Sequence, residues 1–357
     1  MAIPAPGLWG VTGPATIAED AICATVIVGN SAMGDIPNIT CHVVDDIAAG
    51  IALLPATGGT VHIKRGTYNP AAAIVVPSYT TIQGEDRVIV NKPGAGLNLF
   101  ELASGTVFVT IRNLRELNGQ GDVNGGNLID IDRSQDVLIE NCRFENNPGN
   151  APGVDAHGIN ITGTNPNQSL RITINRCRFD TMGRAIYAES TDAAIITVAD
   201  IRVFQCEVFS SEKEGIYFLF TERTYITDSQ VDGSGTSGAY NGIYLAGKGA
   251  GNRTRRHVMN GVRSSTATQH GLEIEFCDES TLAKLNAYNN AGNGFQLTDA
   301  DRNKFDGGVS TGNTLRGFVI DANSDRNIVL GYQLLGNTVG PGQDNGTNTD
   351  AAHNIIV

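Results

Sequence analysis

Asn241-Gly-Ile-Tyr-Leu-Ala246 places apolar residues at alternate positions, with a tyrosine between Ile243 and Leu245 and a glycine ahead of them. Alternation of this kind is the signature of a strand with one face in a core. The pattern Gly-apolar-x-apolar returns at Gly158-Ile-Asn-Ile161, Gly215-Ile-Tyr-Phe218, Gly271-Leu-Glu-Ile274, Gly294-Phe-Gln-Leu297 and Gly317-Phe-Val-Ile320. Without the glycine it is also found at Leu99-Phe-Glu-Leu102, Leu128-Ile-Asp-Ile131 and Ala185-Ile-Tyr-Ala188. The starting positions 99, 128, 158, 185, 215, 242, 271, 294 and 317 are separated by 29, 30, 27, 30, 27, 29, 23 and 23 residues. Self-similarity at such a period marks one supersecondary unit per step.

Each step holds a second β-rich run, such as Val137-Leu-Ile139, Leu170-Arg-Ile-Thr-Ile174, Ile201-Arg-Val203, Tyr225-Ile-Thr227 and Asn327-Ile-Val-Leu330, bounded by Asn, Gly and Asp. Two or three strands per step leave no room for crossover helices, which excludes a βαβ sheet. A leucine-rich repeat lacks its Leu scaffold here, and a propeller needs about 40 residues per blade. The remaining architecture is all-β: a parallel solenoid with one coil per step. Gly at 43 of 357 residues and charged residues at 17% suit one elongated body.

The segment after residue 44 extends this reading. Asp45-Asp-Ile-Ala-Ala-Gly-Ile-Ala-Leu-Leu54 has the spacing of a short amphipathic helix, followed by Gly58-Gly-Thr-Val61, Gly66-Thr-Tyr68 and Ile82-Gln-Gly84. With these motifs, residues 45 to 357 resemble the pectate-lyase-like superfamily of right-handed parallel β-helices. The resemblance implies that the helix caps the N-terminal end of the solenoid. It also implies a surface that acts on polysaccharide, because the superfamily includes lyases, hydrolases, epimerases and viral tailspikes.

Residues 1–44 are expected to be an extended arm, since Pro4, Pro6, Pro14 and Pro37 oppose regular helix. The domain reading is therefore an arm over 1–44 and one β-helix over 45–357. The terminal strand His353-Asn-Ile-Ile-Val357 has nothing after it to pair with, so a partner or oligomer is expected there.

A net charge of −12 excludes a nucleic-acid partner, which would require a basic stripe. The apolar runs are far shorter than the ~18 residues a membrane span needs, so no membrane insertion is expected. No Lys or Arg occurs among the first 63 residues, and the apolar run over 21–29 thus lacks the basic flank of a signal peptide. The six cysteines form no C-x-x-C pair. Cys142, Cys177 and Cys206 occupy one repeated position and are expected to stack inward as small apolar residues.

Because the apolar residues of each repeat point inward, the intervening ones point outward and stack from coil to coil at a spacing of ~4.8 Å. The middle outward column runs Glu101, Asp130, Asn160, Tyr187, Tyr217, Tyr244, Glu273. Three consecutive tyrosines between carboxylates suggest a platform for sugar rings, with Asn160, Tyr187, Tyr217, Tyr244 and Glu273 as substrate-binding residues. Asp130, Asp132, Asp155, His157, Arg184, Glu189 and Glu214 fall on neighbouring coils beside it and are the catalytic candidates. Crowded carboxylates separate their pKa values into an acid and a base, as glycoside hydrolysis requires. A lyase or epimerase would use His157 as base and Arg184 to neutralise a uronate carboxylate. Asp155-Ala-His157 also resembles the Asp-Pro-His motif of mannuronan C5-epimerases, with Ala156 in place of Pro, Gly158 in place of the following acid and Pro152 where the family has Tyr. A lower-ranked patch is His270, Glu273, Glu275 and Asp278. No cofactor is required by this reading, and calcium is the ion that Asp130, Asp132 and Asp136 would suit.

The functional expectation is a polysaccharide-binding protein of a virion surface, tailspike-like and homotrimeric, that depolymerises its ligand if active and attaches to a larger assembly through residues 1–44. The alternatives are a secreted polysaccharide lyase, C5-epimerase or glycoside hydrolase, and a non-catalytic structural β-helix. An extracellular or virion-surface location fits the first two.

Overall fold

The computed structural model describes residues 23–35, 41–94, 96–122, 124–149, 155–350 and 355–356. Successive coils each lay one short strand into an eleven-stranded parallel sheet that begins at Ile74–Val75 and ends at Gly340–Asp344. A 23-stranded sheet contains most of the remaining wall strands. The coils are in strict register: Ile216 lies beside Ile243 and Ile186, and Phe218 beside Leu245 and Ala188. The result is a right-handed-type parallel β-solenoid of about ten turns with almost no helix.

The alternate apolar residues fill the interior, where Ile159, Ile161, Ile186, Ile216, Phe218, Leu245 and Ile274 are all fully buried. The recurrent glycine has a packing cause. A Cβ on Gly242 would stand 1.9 Å from Ser264 Oγ, and one on Gly294 1.9 Å from Ser310 Oγ, so any side chain there would collide with the next wall.

Cys142, Cys177 and Cys206 are free and buried, as expected for an inward stack. Burial is the largest cause holding the Cys177 thiol well above its ordinary pKa, which keeps it protonated and unreactive. Beside them Phe144 and Phe179 stack at 4.5 Å between centroids.

The turns contain a regularity that composition does not announce. Tyr79, Phe108, Asp136, Arg171, Asp200, Arg223, Arg256, Glu279, Arg302 and Arg326 all have φ between 51° and 62°. Each begins a new wall, where only a left-handed residue turns the chain. Neighbouring charges offset part of the strain: Arg171 pairs with Asp136 at 2.6 Å and Arg223 with Asp200 at 2.9 Å.

The helix forms over Ile47–Ala52, with Asp46 accepting from the Ala49 N–H at 2.9 Å and Ile47 and Ile51 buried. Part of the expected arm belongs instead to the wall. Thr25–Gly29 pairs in parallel with both Gly59–Ile63 and His42–Val44, because Val26 and Val28 alternate inward like any coil strand. Cys23 and Cys41 form a disulfide with a Cα separation of 5.8 Å, a link that the sequence reading did not single out. Residues 1–22 and 36–40, with all four prolines of the expected arm, lie outside the described residues. At the other end, Ile355–Ile356 pairs with Gln333 and Leu334.

Candidate carbohydrate-binding face

The middle outward column has the register inferred from the sequence. Glu101, Asp130, Asn160, Tyr187, Tyr217, Tyr244 and Glu273 are successive backbone partners. Asp132, Thr162, Glu189, Leu219, Ala246 and Glu275 form the next column over. A single strand register therefore positions most of the candidates.

The tyrosines do not form the flat platform that was expected. Side chains stacked one coil apart meet face to face, so Tyr217 and Tyr244 stack at 4.9 Å and 12°, while Tyr187 meets Tyr217 edge-on at 5.4 Å. His157 extends the stack, lying on Tyr187 at 4.7 Å and 10°. His157 with Tyr187 and Tyr217 with Tyr244 thus cover one another's faces in two stacked pairs that meet edge to face, with the phenols on the outward side. Burial first, then the carboxylates nearby, raises the phenol pKa values, so the hydroxyls stay protonated and donate. Tyr187 donates to Glu189 at 2.6 Å and Tyr244 to Glu275. The Tyr217 hydroxyl makes no hydrogen bond among the described residues and is open to a ligand.

The first outward column is buried rather than exposed: His157, Arg184 and Glu214 are 6%, 9% and 6% accessible. Arg184 is its centre. Its Nε donates to Glu214 at 2.7 Å and its Nη1 lies 3.0 Å from Asp155, while the guanidinium sits 5.4 and 5.2 Å from the Tyr187 and Tyr217 rings. Lys213, which the sequence reading missed although it adjoins Glu214, closes on Asp155 from the other side. Burial opposes ionisation of Asp155, but the Lys213 hydrogen bond and the charges of Arg184 and Lys213 outweigh it and hold the carboxyl below its ordinary value. Lys248, also missed, reaches back to Glu189 at 2.9 Å and to the Ser190 carbonyl at 2.6 Å.

His157 is a neutral base with one free nitrogen. Asn127 gives its amide N–H to Asp130 at 2.8 Å, so its Oδ1 faces His157 and accepts from the backbone N–H at 3.1 Å and from Nδ1 at 2.9 Å. That fixes the proton on Nδ1 and leaves the Nε2 lone pair, which has no partner among the described residues. Burial, and then Arg184, pushes the His157 pKa down to about 3. Burial likewise lowers His257 to about 3 and His270 to about 4. The unfolded chain binds these protons from about pH 6.5 downward and the folded one does not. Stability should therefore fall as pH drops from about 6.5 towards 4. Denaturant midpoints across that window check the sign, which a pH-independent midpoint would contradict.

Asp130 differs from Asp155. Burial is the largest influence and raises its pKa, aided by Glu101 and Asp132, although Asn160 and Asn127 donate to Oδ1 at 2.7 and 2.8 Å. Burial also raises Glu273, which accepts from Asn241 at 2.7 Å. The column therefore has a carboxyl inclined to hold its proton at each end of the tyrosines. For a carboxyl raised in this way, the folded state is favoured below the unfolded pKa and loses that advantage as pH rises through the folded one. Asp130→Asn should then raise the melting temperature at pH 7 and have no such effect near pH 3; thermal scans at both values test this.

The three candidate calcium ligands do not converge. Asp132 is clamped by Arg133 at 2.5 Å and Asp136 by Arg171 in the turn. Nor does Asp278 join His270, Glu273 and Glu275, because Arg253 and Arg302 hold it at 2.7 and 3.2 Å. Among the described residues no three metal-ligating side chains gather.

Stacked coils, one continuous lateral sheet and polar columns upon it define a parallel β-helix protein. Residues 186–354 match the family model described as periplasmic copper-binding protein (NosD), itself a parallel β-helix family. In fold the chain is similar to the A-module of mannuronan C-5 epimerase AlgE4 from Azotobacter vinelandii, at 13% identity and TM-score 0.61 over 85% of this chain and 92% of that one. It is also similar to the periplasmic alginate epimerase AlgG, at 10% identity and TM-score 0.53 over 91% and 84%. The Dettilon tailspike protein gp208 aligns at 12% identity and TM-score 0.52, over 85% of this chain and 55% of that one. No curated protein sequence matches significantly. At these identities the likeness concerns the fold.

A copper centre does not fit the described residues. Copper prefers thiolate, thioether or imidazole donors, whereas the four free cysteines are buried and unpaired. His157, His257 and His270 lie on separate coils, His157 bonded through Nδ1 to Asn127, His257 through both nitrogens to Thr224 and Thr254, and His270 through Nδ1 to the Asn293 N–H, so no two of these imidazoles converge.

Proposed function

We propose that the protein binds a carbohydrate polymer along its lateral sheet, over the column from Asp130 to Glu273. The observation that carries this reading is the register-locked stack Tyr187, Tyr217, Tyr244 with its phenol edges outward and one hydroxyl unengaged. A coil spacing of ~4.8 Å is close to the length of one pyranose residue, so each sugar of an aligned strand meets one phenol or carboxylate. The face is rich in carboxylate and hydroxyl groups that exchange hydrogen bonds with sugar hydroxyls. The similarity in fold to polysaccharide epimerases and tailspikes agrees with this reading.

If the bound polymer is also transformed, the reacting centre is the cluster around His157. The free Nε2 lone pair supports a role as base, and Arg184 with Lys213 would face a uronate carboxylate. That carboxylate would offset the two cations that, after burial, help depress the imidazole pKa. The roles of Asp130, Asp132, Glu189 and Glu214 on this reading are to orient and to tune. The Cys23–Cys41 disulfide favours an oxidising, extracytoplasmic compartment over assembly in a reducing one. A trimeric virion spike is the second reading. It draws on the similarity in fold to the Dettilon tailspike protein; light scattering that gives three chains per particle supports it.

The test is a panel of neutral and acidic polysaccharides, scored for binding and for unsaturated uronates, reducing ends or changed uronate configuration. Binding with a product that His157→Ala abolishes supports both statements. Binding without any product leaves a non-catalytic receptor, and no binding to any polymer refutes the proposal.

A further inference from the structure

The coils differ in length at one corner, and the difference builds a slot beside the lateral face. Glu189, Leu219, Ala246, Glu275 and Thr298 are equivalent on successive coils, as are Ala199, Glu222, Arg255, Asp278 and Asp301. Only residues 220 and 221 separate Leu219 from Glu222, and only 276 and 277 separate Glu275 from Asp278. Between Glu189 and Ala199, however, lie residues 190–198, and between Ala246 and Arg255 lie 247–254. Two long loops therefore flank one coil with a minimal turn. They flank a cleft of about 460 Å³, lined by Ile195 from one loop, by Phe220 and Glu222 from the short coil, and by Gly251 and Arg255 from the coil beyond it. A cleft of this volume is within the range of small-molecule sites.

We infer that this slot binds a single pyranose ring, independently of the tyrosine column. The walls are two coil spacings apart, so a ligand takes the layer that the short coil leaves vacant, ~4.8 Å from each wall. A flat aromatic ring makes contact at about 3.5–4 Å and would be loose there, whereas a puckered saturated ring fills the layer. Ile195, which is 44% exposed, offers an apolar wall for the ring's C–H face. Opposite, a Cβ on Gly251 would meet nothing within 4 Å, so this wall is open backbone. Beside them Arg255 Nε is held by Glu222 at 2.9 Å, the other oxygen of Glu222 being taken by Arg223, which leaves the remaining Arg255 N–H groups as oriented donors for ring hydroxyls. Lys248, bound to Glu189 and Ser190, crosses from one long loop to the root of the other and divides the slot from the tyrosines.

The test is saturation-transfer NMR on the full chain with a panel of methyl pyranosides, neutral and uronic, and benzoate as the flat control. At least one pyranoside is expected to receive saturation where benzoate does not. Gly251→Leu, which fills the slot without a backbone clash, should cut that transfer at least about fivefold. The loss caused by Gly251→Leu should be the same in a Tyr217→Phe background, where the lateral-face hydroxyl is absent from both proteins compared. No transfer to any pyranoside, transfer indifferent to Gly251→Leu, or transfer lost only in Tyr217→Phe would overturn the inference. The last of these results would move the sugar to the lateral face and leave the proposed function standing.

Discussion

Arg184→Ala is expected to destabilise the protein by about 3–5 kcal/mol, the range for removing one partner of a buried ion pair. The argument rests on what is left behind. Glu214 is 6% accessible, and the guanidinium nitrogen 2.7 Å away is its only ion-pair partner among the described residues. Asp155 is more exposed and keeps Lys213. The penalty therefore falls on Glu214, and Arg184→Met combined with Glu214→Gln should recover more than half of it. A double-mutant cycle by urea unfolding separates this from lost packing, because packing loss alone would be additive. The same substitution removes the cation from between the Tyr187 and Tyr217 rings. Polysaccharide binding should weaken in the single variant and stay weak in the restored double one.

The second large effect is at the opposite end of the chain's charge pattern. Lys92 is 2% accessible, yet its ammonium is enclosed by Asp122 at 2.6 Å, the carbonyls of Gly125 and Gly126 at 2.5 and 3.2 Å, and Asn147 at 3.3 Å. The Gly-rich segments 119–122 and 124–126 fold around it much as a loop folds around a bound cation. Burial lowers the Lys92 pKa against the opposing pull of Asp122. Asp122→Ala should therefore cost about 3–5 kcal/mol, because the remaining neutral oxygens do not compensate a buried ammonium. Lys92→Met should cost less. Asp122 retains the Gly96 and Asn124 N–H donors at 2.8 Å each, whereas the lysine has no second anion among the described residues. Equal costs for the two variants would contradict this asymmetry.

The column from Glu101 to Glu273 could be taken from the sequence because two periods coincide there. Strand alternation decides which side a residue faces, and the repeat decides which residue lies above it. What alternation does not convey is depth. His157 and Arg184 are outward by parity but buried in fact, since Asp155 and Lys213 fold over them from turns whose course no period sets. Parity is equally silent on ring orientation, and no flat platform forms because Tyr217 and Tyr244 lie face to face and Tyr187 meets Tyr217 edge-on. The left-handed turn residues escaped notice because Tyr79, Phe108 and the arginines lack the usual Gly or Asn signal. The Cys23–Cys41 link was obscured by a separation that matches no motif. The steps of 30 and 29 residues that start at 185 and 242 contain the long loops, but the 27-residue step from 215 has its extra residues at another corner, so step length alone does not place them.

The lateral-face proposal turns on one atom more than any other, the Tyr217 hydroxyl, which is unengaged at the centre of the stack. Tyr217→Phe keeps the ring, its contacts with Tyr187 and Tyr244, and its place in the strand. The decisive measurement is the dissociation constant for the best polysaccharide of the panel, wild type against Tyr217→Phe, with melting temperature as control. The account predicts affinity about tenfold weaker, equivalent to one lost hydrogen bond of about 1.4 kcal/mol, at an unchanged melting temperature. Equal affinity in the two proteins would contradict it and remove the polymer from this face.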